Sequence, residues 1–151
     1  LMFNACKKPK DGDTGPQGPA GNANVQNYSI TVSPGQWTYD NLYERHYYRY
    51  SCSANMNSAV YSYVMSGSGE QAIPYYTCPS FMCEQYDMAT YLFGNPPYIE
   101  FQFTNYKSKT TAPTYDKYFY LVIIPPAQRL AHPDVDYTNY EEVKKAFNLK
   151  D

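Results

Sequence analysis

No apolar run in this chain approaches the roughly 20 residues that a membrane-spanning helix needs; the most continuous one, Lys117–Ile124, has the length of a strand. A basic excess is also missing. Twelve Lys and Arg stand against 14 Asp and Glu, for a formal net charge of -2, and the cations form no long run. A phosphate backbone is recognised through clustered positive charge, so nucleic acid is not an expected partner. Histidine is scarce: His46 and His132 are the two present, and neither has the Asp-His or His-x-x-x-His setting of a general base or a metal ligand. No G-x-S-x-G elbow occurs, and the carboxylates are scattered. Beyond the first residues the cysteines are Cys52, Cys78 and Cys83, a spacing that suits zinc poorly. The expectation is a chain with no catalytic residue set, no metal site and no cofactor.

What is abundant is tyrosine, 19 residues in an aromatic content of 18%, against 17% charged residues. Tyrosine suits a half-buried pleated surface, with its ring on the sheet and its hydroxyl in water. The 151 residues suffice for one domain with a real core. That domain is expected to be all-β, an antiparallel β-sandwich of about seven strands with a short C-terminal α-helix. Lys117–Ile124, reading KYFYLVII and closed by Pro125-Pro126, is apolar on both faces and so belongs in the middle of a sheet with material packed on each side.

The other strands gather around it. Tyr28, Ile30 and Val32 alternate with polar residues, and Ser33-Pro34-Gly35-Gln36 predicts a type II turn. Trp37 is expected in the core. Tyr43–Cys52 predicts a strand with Tyr48, Tyr50 and Cys52 on one face and Tyr47, Arg49 and Ser51 on the other. Ala59–Met65 and Gln71–Thr77 flank a hairpin turn at Gly67-Ser68-Gly69, and Pro74 marks the second of them as a short edge strand. Tyr86–Phe93 follows, then Tyr98–Asn105, with Ile99, Phe101 and Phe103 inward and Glu100, Gln102 and Thr104 outward. Residues 127–136 look irregular. Thr138 and Glu141 fit a capping box for a closing helix, whose Tyr140, Val143, Ala146 and Phe147 share one side.

Ahead of the domain, Leu1-Met2-Phe3 and Asn4-Ala5 precede Cys6 in the manner of a signal-peptide core and lipobox, which makes Cys6 the expected lipidation site. Residues 7–24 carry four G-X-Y triplets in register, from Gly12-Asp13-Thr14 to Gly21-Asn22-Ala23. Glycine every third residue is what a collagen triple helix demands. So few triplets favour an extended tether over a trimer, although a trimer is the state in which they could wind together. The expected division is thus 1–6 for the signal remnant, 7–24 for the tether, 25–126 for the sandwich and 127–151 for the extension with its docked helix. With Cys6 lipidated, Cys52, Cys78 and Cys83 are candidates for one disulfide and one free thiol.

Cys6, the polar leader, GPQGPAGNANV, SPGQWT, AIPYY, YFYLVIIP and YTNYEEVKKAFNL together resemble a group of envelope lipoproteins of the Bacteroidetes with a short collagen-like stub before one aromatic β domain. The resemblance covers most of the chain and implies an outer-membrane lipoprotein without assigned chemistry. Lys7-Lys8-Pro9-Lys10 stands where these bacteria place the acidic run associated with surface export, so neither membrane face is singled out.

The expected function is therefore a non-enzymatic binding or structural role on the cell envelope, with the membrane as partner through the lipid and envelope glycans or proteins beyond it. One alternative is a glycan-binding module that exposes Tyr47, Tyr48, Tyr61, Tyr63, Tyr75 and Tyr76 as stacking platforms. Another is a small hydrolase.

Overall fold

The computed structural model describes residues 24–54, 57–66, 69–77, 84–91 and 97–150. Cys6, most of the expected tether, Cys78 and Cys83 lie outside them. The described residues form nine strands: β1 (Gln26–Val32), β2 (Thr38–Asp40), β3 (Arg45–Ser51), β4 (Ala59–Ser66), β5 (Gly69–Ala72), β6 (Tyr75–Thr77), β7 (Glu84–Tyr91), β8 (Tyr98–Asn105) and β9 (Lys117–Ile124). Two helices follow, α1 (Pro126–Ala131) and α2 (Tyr140–Phe147). The strands make two antiparallel sheets, one ordered β1-β9-β4-β5 and the other β2-β3-β8-β7-β6. The chain is an all-β sandwich.

Strand β9 lies between β1 and β4, as its two apolar faces require. Phe119, Leu121 and Ile123 point between the sheets, where they meet Ile30, Val32, Trp37, Val64, Tyr86, Ile99, Phe101 and Phe103. Val122 and Ile124 point the other way and, with Tyr63, make a second core against Tyr140, Val143 and Phe147 of α2. The order of layers is therefore helix, four-stranded sheet, five-stranded sheet. Among the described elements, nothing is layered over the outer face of the five-stranded sheet.

Several local expectations shift. The run across Pro74 is two strands, not one: β5 edges the four-stranded sheet and β6 edges the other, so the proline stands where the chain changes sheet. Ser33–Gln36 closes as a 3₁₀ turn, with the Gln36 amide on the Ser33 carbonyl at 2.9 Å and the Ser33 amide on Gln36 Oε1 at 2.8 Å. The second of these bonds needs the glutamine side chain, which a turn rule based on Pro and Gly does not weigh. Trp37 is buried in the inter-sheet core. Pro125-Pro126 starts α1 where irregular chain was expected, because a proline in the first turn gives up no helical hydrogen bond. Asn139, not Thr138, caps α2: its Oδ1 accepts from the amides of Glu141 at 3.0 Å and Glu142 at 3.3 Å, while Thr138 bonds Asp136.

Candidate functional site

Strand pleating sends Arg45, Tyr47 and Arg49 of β3 to the open face of the five-stranded sheet, because His46, Tyr48 and Tyr50 take the core side. Register then places Arg49 opposite Glu100 and Tyr47 opposite Gln102 on β8, with Ala89 and Asp87 of β7 beyond them. Glu100 and Gln102 are outward in the pleat but do not meet water: Glu100 is 3% exposed and Gln102 8%. The reason is the length of their neighbours. Arginine and tyrosine side chains lie across the shorter residues and replace solvent with hydrogen bonds.

Those bonds account for both oxygens of Glu100. Oε2 accepts from Arg49 Nε at 3.0 Å, and Oε1 accepts from Gln102 Nε2 at 3.0 Å with Arg45 Nη2 at 3.6 Å. Arg45 Nη1 donates to Gln102 Oε1 at 2.6 Å. The guanidinium of Arg49 lies 4.7 Å from the ring centre of Tyr47 and 4.9 Å from that of Tyr98, with half of its side chain exposed. Arg45 sits 4.7 Å from the ring of Tyr43, itself exposed. The hydrogen bond to Glu100 raises the Arg49 pKa, so this cation does not titrate in any ordinary range. Toward the β6 edge, Gln85 donates to Asp87 and accepts from Tyr106. The result is a flat bed of rings and planar polar groups on a rigid sheet. Such a bed can hydrogen-bond and stack on a ligand, but the one buried carboxylate beneath it is already engaged on both oxygens.

The tyrosines singled out as platforms are dispersed. Tyr47 lies on this bed. Its neighbour Tyr48 packs against the inter-sheet core, since adjacent residues on a strand face opposite ways. Tyr61 stacks on Tyr137 at 4.8 Å and 14°, and Tyr63 is fully buried under α2 with its hydroxyl donating to the Tyr137 carbonyl at 2.7 Å. Burial pushes the Tyr63 phenol well above its ordinary pKa of 10.0. Tyr63 therefore cannot serve as an exposed platform, and Tyr61 is half-buried with its ring stacked on that of Tyr137. Tyr75 packs toward the core and faces Tyr86 at 6.4 Å. Tyr76 belongs to β6, and its side chain lies outside the described residues. Cys52 carries a free thiol, half-buried against the core, and Cys78 and Cys83 lie outside the described residues.

Sequence reasoning missed the partners of Tyr47, namely Arg45, Arg49, Tyr98, Glu100 and Gln102. A signal existed in Arg45-x-Tyr47-x-Arg49, where cation and ring alternate on one strand face. Pairing that face with β8 needed the fold.

Two other places hold polar or open features. Between the sheets, Lys117 Nζ lies 3.4 Å from Glu84 Oε2, which also accepts from the Tyr86 hydroxyl at 2.6 Å, and the ring of Tyr115 covers the ammonium at 3.9 Å. Next to α1, a cleft of about 630 Å³ is lined by Ala59, Pro126, Arg129, Leu130, Pro133 and Tyr137 among others. No group of three or more His, Cys, Asp or Glu among the described residues could hold a metal ion, and no described helix is long and apolar enough to cross a membrane. Comparisons with protein-family models, with curated proteins and with solved structures found no match to this chain.

Proposed function

We propose that this chain is a lipid-anchored cell-envelope protein whose sandwich is a non-enzymatic binding domain, and that the open face of its five-stranded sheet takes a glycan. The observation that carries the reading is the bed itself: Tyr47 and Tyr98 flank Arg49 above a fully hydrogen-bonded floor of Glu100 and Gln102. Sugars offer a flat apolar face beside a rim of hydroxyls. A tyrosine ring meets the first, and guanidinium and carboxamide groups meet the second. Because both rings are held by Arg49, little rotamer freedom is lost on binding. The engagement of both Glu100 oxygens supports binding over hydrolysis, which asks for a carboxyl free to exchange a proton. Cys6 and the G-X-Y stretch support a tethered setting that holds the domain away from the bilayer.

A glycan array probed with the full chain tests the face. Tyr47→Ala or Tyr98→Ala is expected to weaken retention by roughly tenfold or more, as truncation of an aromatic anchor does. Tyr118→Ala, which removes a half-exposed ring on the other sheet, is expected to leave it unchanged. Equal retention by all three variants would refute this location. The anchor is tested separately. In the full-length precursor, Cys6→Ala is expected to move the protein from the membrane fraction to the soluble one, and persistence in the membrane fraction would count against lipidation.

A further inference from the structure

We infer that the ligand of this face is an acidic glycan, with a sugar carboxylate taken by the terminal nitrogens of Arg49 and the pyranose ring lying against Tyr47 or Tyr98. The inference rests on the glycan reading above and adds to it the ligand's charge.

Two guanidiniums share one carboxylate in the middle of the bed. Glu100 meets Arg49 through Nε and Arg45 through Nη2, and its remaining capacity goes to Gln102. Arg45 is further used by Gln102 through Nη1. Among the described residues the Nη groups of Arg49 make no hydrogen bond, and they belong to a side chain that is half exposed. A guanidinium fixed through Nε offers its Nη edge, a geometry suited to the two oxygens of a carboxylate. The rings of Tyr47 and Tyr98 hold this group in place.

Glu100 is one carboxylate against two guanidiniums, and the next acidic groups do not cancel the remaining positive charge. Asp40, opposite Arg45, has Oδ1 turned into its own hairpin, where it accepts from the amides of Leu42 and Tyr43. Asp87 accepts from Gln85 and stands two strands across and two residues along from Arg49. Strand spacing and rise put that separation at roughly 12 Å, beyond the Debye length of about 8 Å at physiological salt. A neutral sugar would leave the exposed Nη edge with water. A uronate would fill it while its ring covers a tyrosine.

The experiment titrates the full chain with polygalacturonate, alginate and hyaluronate, and with the same polymers after carboxyl reduction to neutral sugars. At least one uronate polymer is expected to bind, its reduced form roughly tenfold or more weaker, and the difference is expected to shrink as salt rises. Arg49→Gln is expected to lower affinity for the acidic polymer to that of the reduced one, and Arg49→Lys to restore part of it. The comparison of polymers uses the unaltered protein, so it stands even where a variant folds poorly. Reduced polymers that bind as well as the acidic ones, with retention still lost in Tyr47→Ala, would overturn the acidic ligand and leave the glycan reading intact. No binding to any acidic or neutral glycan would overturn both.

Discussion

Burial fixes how His46 titrates. It is 4% exposed on the inner face of β3, 5.0 Å from the ring of Tyr39 and 6.3 Å from that of Phe103, and its Nδ1 finds no partner among the described residues. Nothing offsets the loss of solvation of an imidazolium there, so its pKa lies below the ordinary 6.5. A lowered folded-state value means that the unfolded chain takes up a proton first as pH falls. The contribution of a neutral His46 to stability is therefore present above 6.5 and is lost as pH drops through the lower folded value. Urea midpoints are expected to decline as pH falls below 6.5, and His46→Gln to flatten that decline; parallel curves for the two proteins would remove the assignment. On the opposite face of the same sheet, Glu100→Gln is expected to cost about 1–3 kcal/mol in urea unfolding, because Arg45 and Arg49 lose an anionic acceptor at a buried position. An unchanged midpoint would show that the two guanidiniums hold themselves on the tyrosines alone.

At the scale of the element, α2 shows how a short helix becomes part of a sandwich. Its eight residues are too few to be stable alone. Asn139 closes its first turn, Asn148 closes its last in a left-handed conformation, and Tyr140, Val143 and Phe147 are buried on β4 and β9. Tyr140 stacks on Tyr120 at 4.6 Å, and Phe147 meets the ring of His132 at 4.7 Å. Phe147→Ala is expected to destabilise the whole domain by about 3–5 kcal/mol, and Lys145→Ala, on the exposed side, by no more than about 0.5 kcal/mol. Calorimetry distinguishes the two, and similar small losses would mean that the helix hangs from the sheet without supporting it. Asn139→Ala is expected to cost about 1 kcal/mol through the lost cap, more than Thr138→Ala. The reverse order would return the cap to Thr138.

Across the whole molecule, the two sheets are joined mainly by apolar packing; among the described residues, the Ser62 hydroxyl of β4 also donates to Met88 Sδ of β7 at 2.8 Å, and Lys117 of β9 meets Glu84 of β7. Both are nearly buried, at 4% and 8% exposure. A buried pair owes its persistence to mutual compensation, so removing one member costs more than removing both. Lys117→Ala is expected to lower stability by about 3 kcal/mol or more, by leaving Glu84 unpaired. Lys117→Met combined with Glu84→Gln, which keeps shape without charge, is expected to recover most of that. A double variant no better than the single one, measured in the same denaturant series, would show that the ion pair itself holds the sheets together.

The sequence by itself determined the strand periods, the central place of KYFYLVII, the sandwich class and the apolar stripe of the last helix. Each depends on spacing along one segment, and the pleat and the helical turn are short-range geometry. It also separated Tyr47 and Arg49 from Tyr48 and Tyr50, since that too is a matter of alternation. The tertiary structure decided what each face meets. Glu100 and Gln102 read as outward, yet they are buried because arginines of a strand about 50 residues away lie over them. Tyr61 and Tyr63 read as surface rings, yet α2 from the far end of the chain covers Tyr63 and Tyr137, just ahead of that helix, stacks on Tyr61. The run across Pro74 read as one strand, and only the assignment of β5 and β6 to different sheets divides it. Burial and ion pairing are properties of what packs across a sheet, and register between distant strands is not written in either strand alone.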